Sequence, residues 1–312
     1  MADNQLIDLT SEKYRIFFQE LEEKHDFKRA DLLHLFDGVR INQRVLTLMD
    51  RQWESKPYYK YWPLFITPTV VSKGRKELKN HKLLFDKIEA QFGVDREIIV
   101  AIWGIESRFG KNMGGYALFQ ALNTLFDAYP RRSEFFRKEL IQYLLLCREN
   151  NIDPLTIKGS YAGAFGQAQF MPSSFNEYAV DFDGDSRRDL ISSMDDIFAS
   201  IANYLKRYNW ALHGPIFVEI GSSLKTDLLL ETYQKGRKGR IAWRKLSQDQ
   251  GVTLPRPPDN GQLSIIGLEK TPLFGGGIRF VAGYPNFHAI TEYNHSTKYA
   301  MAVAEMAEAF KK

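Results

Sequence analysis

Cysteine is almost missing from this chain: Cys147 stands alone among 312 residues. A lone thiol excludes an intramolecular disulfide and any cysteine metal cluster. Its setting, the helical run Ile141-Gln-Tyr-Leu-Leu-Leu-Cys147, reads as a buried inert thiol and not a nucleophile. Long apolar runs are missing too, and none approaches the length of a membrane span. The opening Met-Ala-Asp-Asn-Gln-Leu has neither the charged nor the apolar region of a signal peptide. Histidine is scarce, with 6 in all and no His-Glu-x-x-His pair, which argues against a zinc enzyme and leaves His288 and His295 as surface or core residues. Charge of one sign is nearly balanced by the other. With 42 Lys and Arg against 38 Asp and Glu, the net charge is only +4, and the one dense basic stretch, Lys235-Gly-Arg-Lys-Gly-Arg240, reads as an exposed loop. Nucleic acid is therefore not an expected partner.

What is present is an ordinary globular composition with many aromatics: 44% hydrophobic, 26% charged, and 13% Phe, Trp and Tyr. Such enrichment suits a cleft that stacks sugar rings, although core packing absorbs much of it. The periodicity predicts helices through most of residues 11–54, with Ser11 as a cap. After an aromatic connector between Pro57 and Pro68, Thr67-Pro68 opens a long helix to about Phe92, and the next helix follows Gly93. Further helices are expected at 116–127, 133–150, Asp195–Tyr208 and Ser296–Phe310. Short β-like runs (Ile216–Ile220, Leu263–Leu268, Ile278–Ala282) lie between Gly and Pro clusters. The expectation is an α+β fold, mainly α-helical, with a small β-rich insertion. The corresponding subdivision is a helical N-terminal part at 1–66, a core at 67–213, a β-rich part at 214–282 and a returning segment at 283–312.

One glutamate breaks an apolar pattern. In Asp95-Arg-Glu-Ile-Ile-Val-Ala-Ile-Trp-Gly-Ile-Glu-Ser-Arg-Phe-Gly110, the residues Ile98, Ile99, Ile102 and Trp103 share a helix face, and Glu106 continues it. A carboxyl on an apolar face tends to keep its proton to higher pH, and a position near the helix C-terminus, which Gly110 is expected to mark, adds to this. Such a group is a general acid, unless Arg108 or Arg131 pairs with it structurally.

A second segment is denser in small residues. Gly159-Ser-Tyr-Ala-Gly-Ala-Phe-Gly-Gln-Ala-Gln-Phe-Met-Pro-Ser-Ser-Phe175 uses Gly159, Gly163 and Gly166 with three alanines to let backbone approach a ligand, and Gln167 and Gln169 offer amides to hydroxyl or N-acetyl groups. It is not a phosphate cradle, since no Gly-Lys-Ser/Thr follows. Ser173 and Ser174 read as helix-start residues. Trp103-Gly-Ile-Glu-Ser-Arg-Phe-Gly110, this segment, the acidic loop after it, Ala202-Asn-Tyr-Leu and Tyr293-Asn-His-Ser-Thr-Lys-Tyr-Ala-Met-Ala-Val303 occur in the order found in the lytic murein transglycosylase B family, which the chain resembles from about residue 10 to its end. The resemblance implies a lysozyme-like helical core and cleavage of the MurNAc–GlcNAc bond of peptidoglycan without water. It places Glu106 as the acid/base, and Ser160, Gln169, Tyr204, Tyr293, Asn294, Tyr299 and Tyr61 along the cleft. It also implies a periplasmic monomer working on glycan strands beside other cell-wall enzymes, with no organic cofactor. A glycosidase normally needs two carboxyls. No second acidic residue accompanies Glu106 in either cleft motif, which favours a single-carboxyl route ending in a 1,6-anhydromuramoyl group. A hydrolytic muramidase and a non-catalytic peptidoglycan-binding protein are the competing readings.

The acidic loop Asp181-Phe-Asp-Gly-Asp-Ser-Arg-Arg-Asp189 spaces Asp181, Asp183 and Asp185 as the opening of a Ca²⁺ loop does, with Arg187 at the seventh position. Ser186 stands where the EF-hand glycine belongs, and Ser192 where the bidentate Glu does. The family resemblance implies a variant closed by a later aspartate, Asp196 or its neighbour Asp195, and a structural Ca²⁺ ion. A metal-free acidic turn is the alternative.

Overall fold

The computed structural model describes residues 5–50, 56–258 and 261–312. Helices α1 (Glu12–His25), α2 (Arg29–Phe36), α3 (Gln43–Met49) and α4 (Tyr58–Tyr61) come first, followed by α5 (Pro68–Asn80), α6 (Lys82–Phe92) and α7 (Arg96–Ser107). A short strand β1 (Tyr116–Ala117) leads to α8 (Leu118–Ala128) and α9 (Ser133–Glu149). After β2 (Lys158–Gly159) come α10 (Pro172–Tyr178) and α11 (Met194–Arg207). The chain continues through β3 (Phe217–Gly221), α12 (Asp227–Gln234), α13 (Trp243–Gln250), β4 (Ser264–Glu269), β5 (Ile278–Gly283), α14 (Pro285–Tyr293) and α15 (Thr297–Lys311). The result is a mainly helical α+β fold, as the sequence pattern predicts. No described helix is long and apolar enough to cross a membrane.

Local chemistry sets the helix starts. The Ser11, Thr67 and Ser296 hydroxyls accept from the backbone N–H of Tyr14, Val70 and Tyr299 at 3.5, 3.3 and 3.3 Å, and Pro68 fills the first position of α5. One expectation fails. The long helix over 67–92 is two helices, broken at His81, whose backbone leaves helical geometry at φ −104°, ψ 21°. The His81 ring packs edge-on against Phe85 and Phe198, with centroids 6.4 and 5.4 Å away. The break lets α5 lie against α7 and α15 while α6 lies against α11.

The chain forms two compact units, one of Met1–Gln52 with Gly110–Ser193, the other of Trp53–Phe109 with Met194–Lys312. In the first, α8 packs on α9 and α3, and α9 on α10. Its core is aromatic, with Phe36 edge-on to both Phe18 (5.0 Å) and Phe119 (4.8 Å). Buried Asn123 is satisfied there, accepting from the Tyr14 hydroxyl at 3.2 Å and donating to the Phe119 carbonyl at 2.8 Å. Cys147 is buried, and burial pushes its thiol up to about 12, which makes it inert as expected. Strands β1 and β2 pair antiparallel, Tyr116 opposite Gly159.

In the second unit α7 packs against α5, α11 and α15, and α14 against α11 and α15. The three expected β segments form one antiparallel sheet in the order β3-β5-β4, with Val281 of β5 opposite Glu219 and Ile266. Ile220, Leu229, Leu246, Leu263, Ile265 and Phe280 form a core beneath it. Helix α15 is tied to this sheet by Glu305, which accepts from the Tyr58 hydroxyl at 2.5 Å and pairs with Arg279 of β5; Arg279 also pairs with Glu219 of β3. Replacing Glu305 by Ala leaves two partners short of an acceptor, so stability should fall by about 1–3 kcal/mol in urea unfolding. An unchanged midpoint would show that the tie is not structural.

Candidate active site

Helix α7 positions Glu106. Ile98, Ile99, Ile102 and Trp103 are buried as their spacing predicts, and Glu106 follows on their face in the last turn. The helix stops earlier than Gly110. Arg108 and Phe109 both adopt left-handed backbone, at φ 52° and 58°, and both N–H groups turn back to the Trp103 carbonyl. For residues with a β-carbon this costs on the order of 1–2 kcal/mol each. The compensation is packing: Phe109 folds over its own helix, edge-on to Trp103 at 5.1 Å, with Lys73 Nζ 4.7 Å from the ring centroid. Gly104 gives the ring room, since a β-carbon there would lie 3.0 Å from it.

The partner of Glu106 is a tyrosine, not an arginine. Glu106 Oε1 accepts a 2.6 Å hydrogen bond from the Tyr299 hydroxyl of α15. Arg108 is exposed, and Arg131 pairs with Asp50 at 2.6 Å in the first unit. Burial raises the Glu106 pKa from 4.5 to about 7, and the Tyr299 bond, which favours the ionised form, offsets part of that rise. By surface area the side chain is only partly shielded. Its carboxyl is thus dry enough to hold a proton near neutrality and open enough to deliver it.

Tyrosines gather around this carboxyl. Burial and the Glu106 charge hold the phenols of Tyr293 and Tyr299 well above their ordinary value, so both remain neutral hydrogen-bond donors. Tyr61 of α4 is a further neighbour of Tyr299. The Tyr204 ring of α11 lies 4.8 Å from that of Tyr293, and its hydroxyl donates to the Glu292 carbonyl at 2.7 Å. Asn294 caps the end of α14 directly after Tyr293, its N–H bonded to the Ile290 carbonyl at 3.4 Å. Tyr208, stacked on Tyr204 at 5.0 Å, was not singled out from the sequence. Its helical offset of four residues from Tyr204 was the available signal.

The second unit therefore brings together Glu106, Tyr61, Tyr204, Tyr293 and Tyr299. Ser160 and Gln169 lie in the first unit, on the Gly-rich stretch. Ser160 Oγ accepts from the Ala164 N–H at 3.1 Å, closing a tight turn. Gln169 sits at φ 50°, with its amide nitrogen donating to the Gly166 carbonyl (2.8 Å) and the Met113 carbonyl (3.2 Å). The turn requires glycine at 166, where φ is 70° and a β-carbon would lie 2.7 Å from the Leu190 carbonyl oxygen.

The acidic loop is also in the first unit and is wound by its own carboxylates. Asp181 accepts from the N–H groups of Gly184 (2.7 Å) and Ser186 (2.8 Å), Asp183 from Asp185 (3.2 Å), and Asp185 from Arg187 (2.8 Å). Ser186 stands at φ 70°, the conformation for which EF-hand loops use glycine. The loop thus keeps that backbone path despite the substitution. Of the two later aspartates, both in the second unit, Asp196 is fully buried in the first turn of α11 and Asp195 only partly. These donors are all hard oxygens, the set suited to Ca²⁺.

Comparison with known proteins identifies the family. The Transglycosylase SLT domain matches residues 10–308. The membrane-bound lytic murein transglycosylase B of Escherichia coli (strain K12) is 36% identical over 304 residues, covering 94% of this chain and 81% of that protein. The E. coli lytic transglycosylase Slt35, solved in complex with calcium, superposes with a TM-score of 0.84 at 34% identity, over 97% of this chain and 94% of its own. SltB3 from Pseudomonas aeruginosa, solved in complex with NAG-anhNAM-pentapeptide, gives 0.78 at 31% identity, over 95% of this chain and 78% of its own. The fold is accordingly that of the lysozyme-like transglycosylases, and the chain belongs to the lytic murein transglycosylase family, enzymes that act on peptidoglycan.

Proposed function

We propose that this enzyme cleaves the MurNAc-β-1,4-GlcNAc bond without water, using Glu106 first as acid and then as base. The observation that carries the reading is the state of Glu106: a carboxyl raised to about 7 by burial, hydrogen-bonded to Tyr299, with no second carboxylate among the described residues contributing to its shift. Protonated Glu106 gives its proton to the glycosidic oxygen, the C1–O bond of MurNAc breaks, and GlcNAc leaves with a free 4-hydroxyl. The acetamido oxygen of the same MurNAc bonds to C1 and carries the positive charge. Glu106, now ionised, takes the proton of the C6 hydroxyl, O6 displaces the acetamido oxygen at C1, and a 1,6-anhydro ring closes. Proton and atoms balance, and the acid is regenerated without water.

On this reading Tyr299 holds the carboxyl in place, and Tyr61, Tyr204, Tyr293, Asn294, Ser160 and Gln169 bind the sugars and orient the acetamido group. The complex of the P. aeruginosa relative with an anhydro-muramoyl peptide supports that product. The acidic loop would hold Ca²⁺ through Asp181, Asp183, Asp185, the Arg187 carbonyl and Asp196. The all-oxygen donor set suits that ion, and the calcium complex of the E. coli relative supports this choice. Such an ion would brace the loop and take no part in the chemistry. On this reading the enzyme works in the periplasm, as a monomer on glycan strands beside other cell-wall enzymes, and its likeness to the membrane-bound lytic murein transglycosylase B of E. coli supports a cell-wall location.

Mass spectrometry of digested peptidoglycan should find anhydro-muramoyl ends; reducing ends would instead establish the hydrolytic route, and no cleavage the binding-protein reading. The acid must be protonated, so the rate should fall about tenfold per pH unit above about 7. Because the Tyr299 bond lowers the Glu106 pKa, Tyr299→Phe should move that alkaline limb upward while reducing kcat. Glu106→Gln should bind glycan yet lose about 10²–10⁴-fold or more in rate; an unmoved limb or wild-type turnover would remove these residues from their roles. Adding Ca²⁺ to the chelated protein should raise Tm, and Asp183→Asn should abolish that rise. Equal melting with and without Ca²⁺ would leave an ordinary acidic turn.

A further inference from the structure

The basic stretch Lys235–Arg240 of the second unit has no part in the chemistry above, yet it is tied to the element that carries Tyr293. Gly236–Lys238 form a three-residue 3₁₀ turn. Arg240 Nη1 donates back to the Arg237 and Gly239 carbonyls at 2.5 and 2.9 Å. Ile241 then exchanges backbone hydrogen bonds with Leu263, just before β4, at 2.9 and 2.8 Å. From this fixed turn Arg237 reaches α14: its Nη1 lies 2.6 Å from Oε1 of Glu292, in the last turn of that helix. Lys238 beside it is exposed, and among the described residues its side chain makes no hydrogen bond or ion pair.

Helix ends fray, because their final carbonyls lack intrahelical partners. Helix α14 has only nine residues and ends at Tyr293; Asn294 is already extended, and its N–H reaches the Ile290 carbonyl at 3.4 Å. The Thr291 carbonyl meets Nδ1 of the His295 ring at 2.9 Å, and the Glu292 carbonyl accepts from the Tyr204 hydroxyl at 2.7 Å. Those two ties hold the backbone from α11 and from the residues that follow. Arg237 holds the Glu292 side chain from a third element, and a cation there also suits the negative end of the helix dipole. The two side chains are 31% and 34% exposed, so their pairing contributes little to global stability. What it constrains is geometry. The Tyr293 ring, next in the chain, lies 4.8 Å from that of Tyr204 and close enough to Glu106 to feel its charge. We propose that Arg237 is a positioning residue, which through Glu292 fixes the end of α14 and with it the Tyr293 ring beside the catalytic carboxyl. The functional half of this inference rests on the reading of Tyr293 as a sugar-binding residue.

The test follows the Tyr293 ring by NMR of the full chain labelled with ¹³C at tyrosine rings, without substrate, with Tyr293→Phe identifying the signal; turnover of peptidoglycan is measured beside it. Arg237→Ala should move or broaden that signal and lower kcat/KM about tenfold or more. Glu292→Gln, which keeps the carbonyl that Tyr204 uses, should do the same. Tm and the alkaline limb of the pH profile should stay as in the wild type, since the bond between Tyr299 and Glu106 is untouched. Arg237→Lys should restore most of the signal and the rate, and Lys238→Ala should change neither. An unmoved Tyr293 signal, an unchanged kcat/KM, a loss that Arg237→Lys leaves unrestored, or a shifted limb or lowered Tm would overturn the assignment. The ring signal is read without substrate, so it decides the positioning even where the wild type does not cleave, a result that counts against the proposed reaction and not against this tie.

Discussion

The hydrogen bond between Tyr299 and Glu106 is the constraint on which the rest of the site depends. Burial by itself would leave a glutamate neutral but unpositioned, and an arginine in its place would ionise it. A tyrosine whose own pKa is driven upward stays a neutral donor. It fixes one carboxyl oxygen at 2.6 Å and still permits the group to hold its proton to about 7. Everything that keeps α7 and α15 in contact serves this one geometry, including the helices packed around α7 and the tie from Glu305 to Tyr58 and Arg279.

Part of this was legible in the sequence because it is local. The stripe of Ile98, Ile99, Ile102 and Trp103 has helical period, so the face of Glu106 followed from spacing alone. The three strands were marked by the Gly and Pro clusters between them. The partner was not legible in that way: Tyr299 lies 193 residues from Glu106, and no local pattern encodes their meeting. It entered through family resemblance, as did Tyr61, Tyr204 and Tyr293.

The departures share a cause, which is that long-range or side-chain packing overrides a local signal. Thr67-Pro68 announces a helix start correctly, but nothing nearby announces the break at His81, whose ring is drawn to Phe198 on a distant helix. Gly110 reads as the natural helix end, yet the chain reverses at Arg108 and Phe109 because the Phe109 ring packs against Trp103. Ser186 looks like a flaw in a metal loop, and the backbone takes the left-handed turn there all the same, held by the Asp181 carboxylate.

The chemistry turns on the protonation state of Glu106, and NMR of the protein labelled with ¹³C at glutamate side-chain carboxyls reads it directly, with Glu106→Gln identifying the resonance. Titration of Glu106 near 7 would bear out a protonated acid at working pH. Titration near the ordinary 4.5 would show that the carboxyl is already ionised there, and a single-residue acid/base route could not begin.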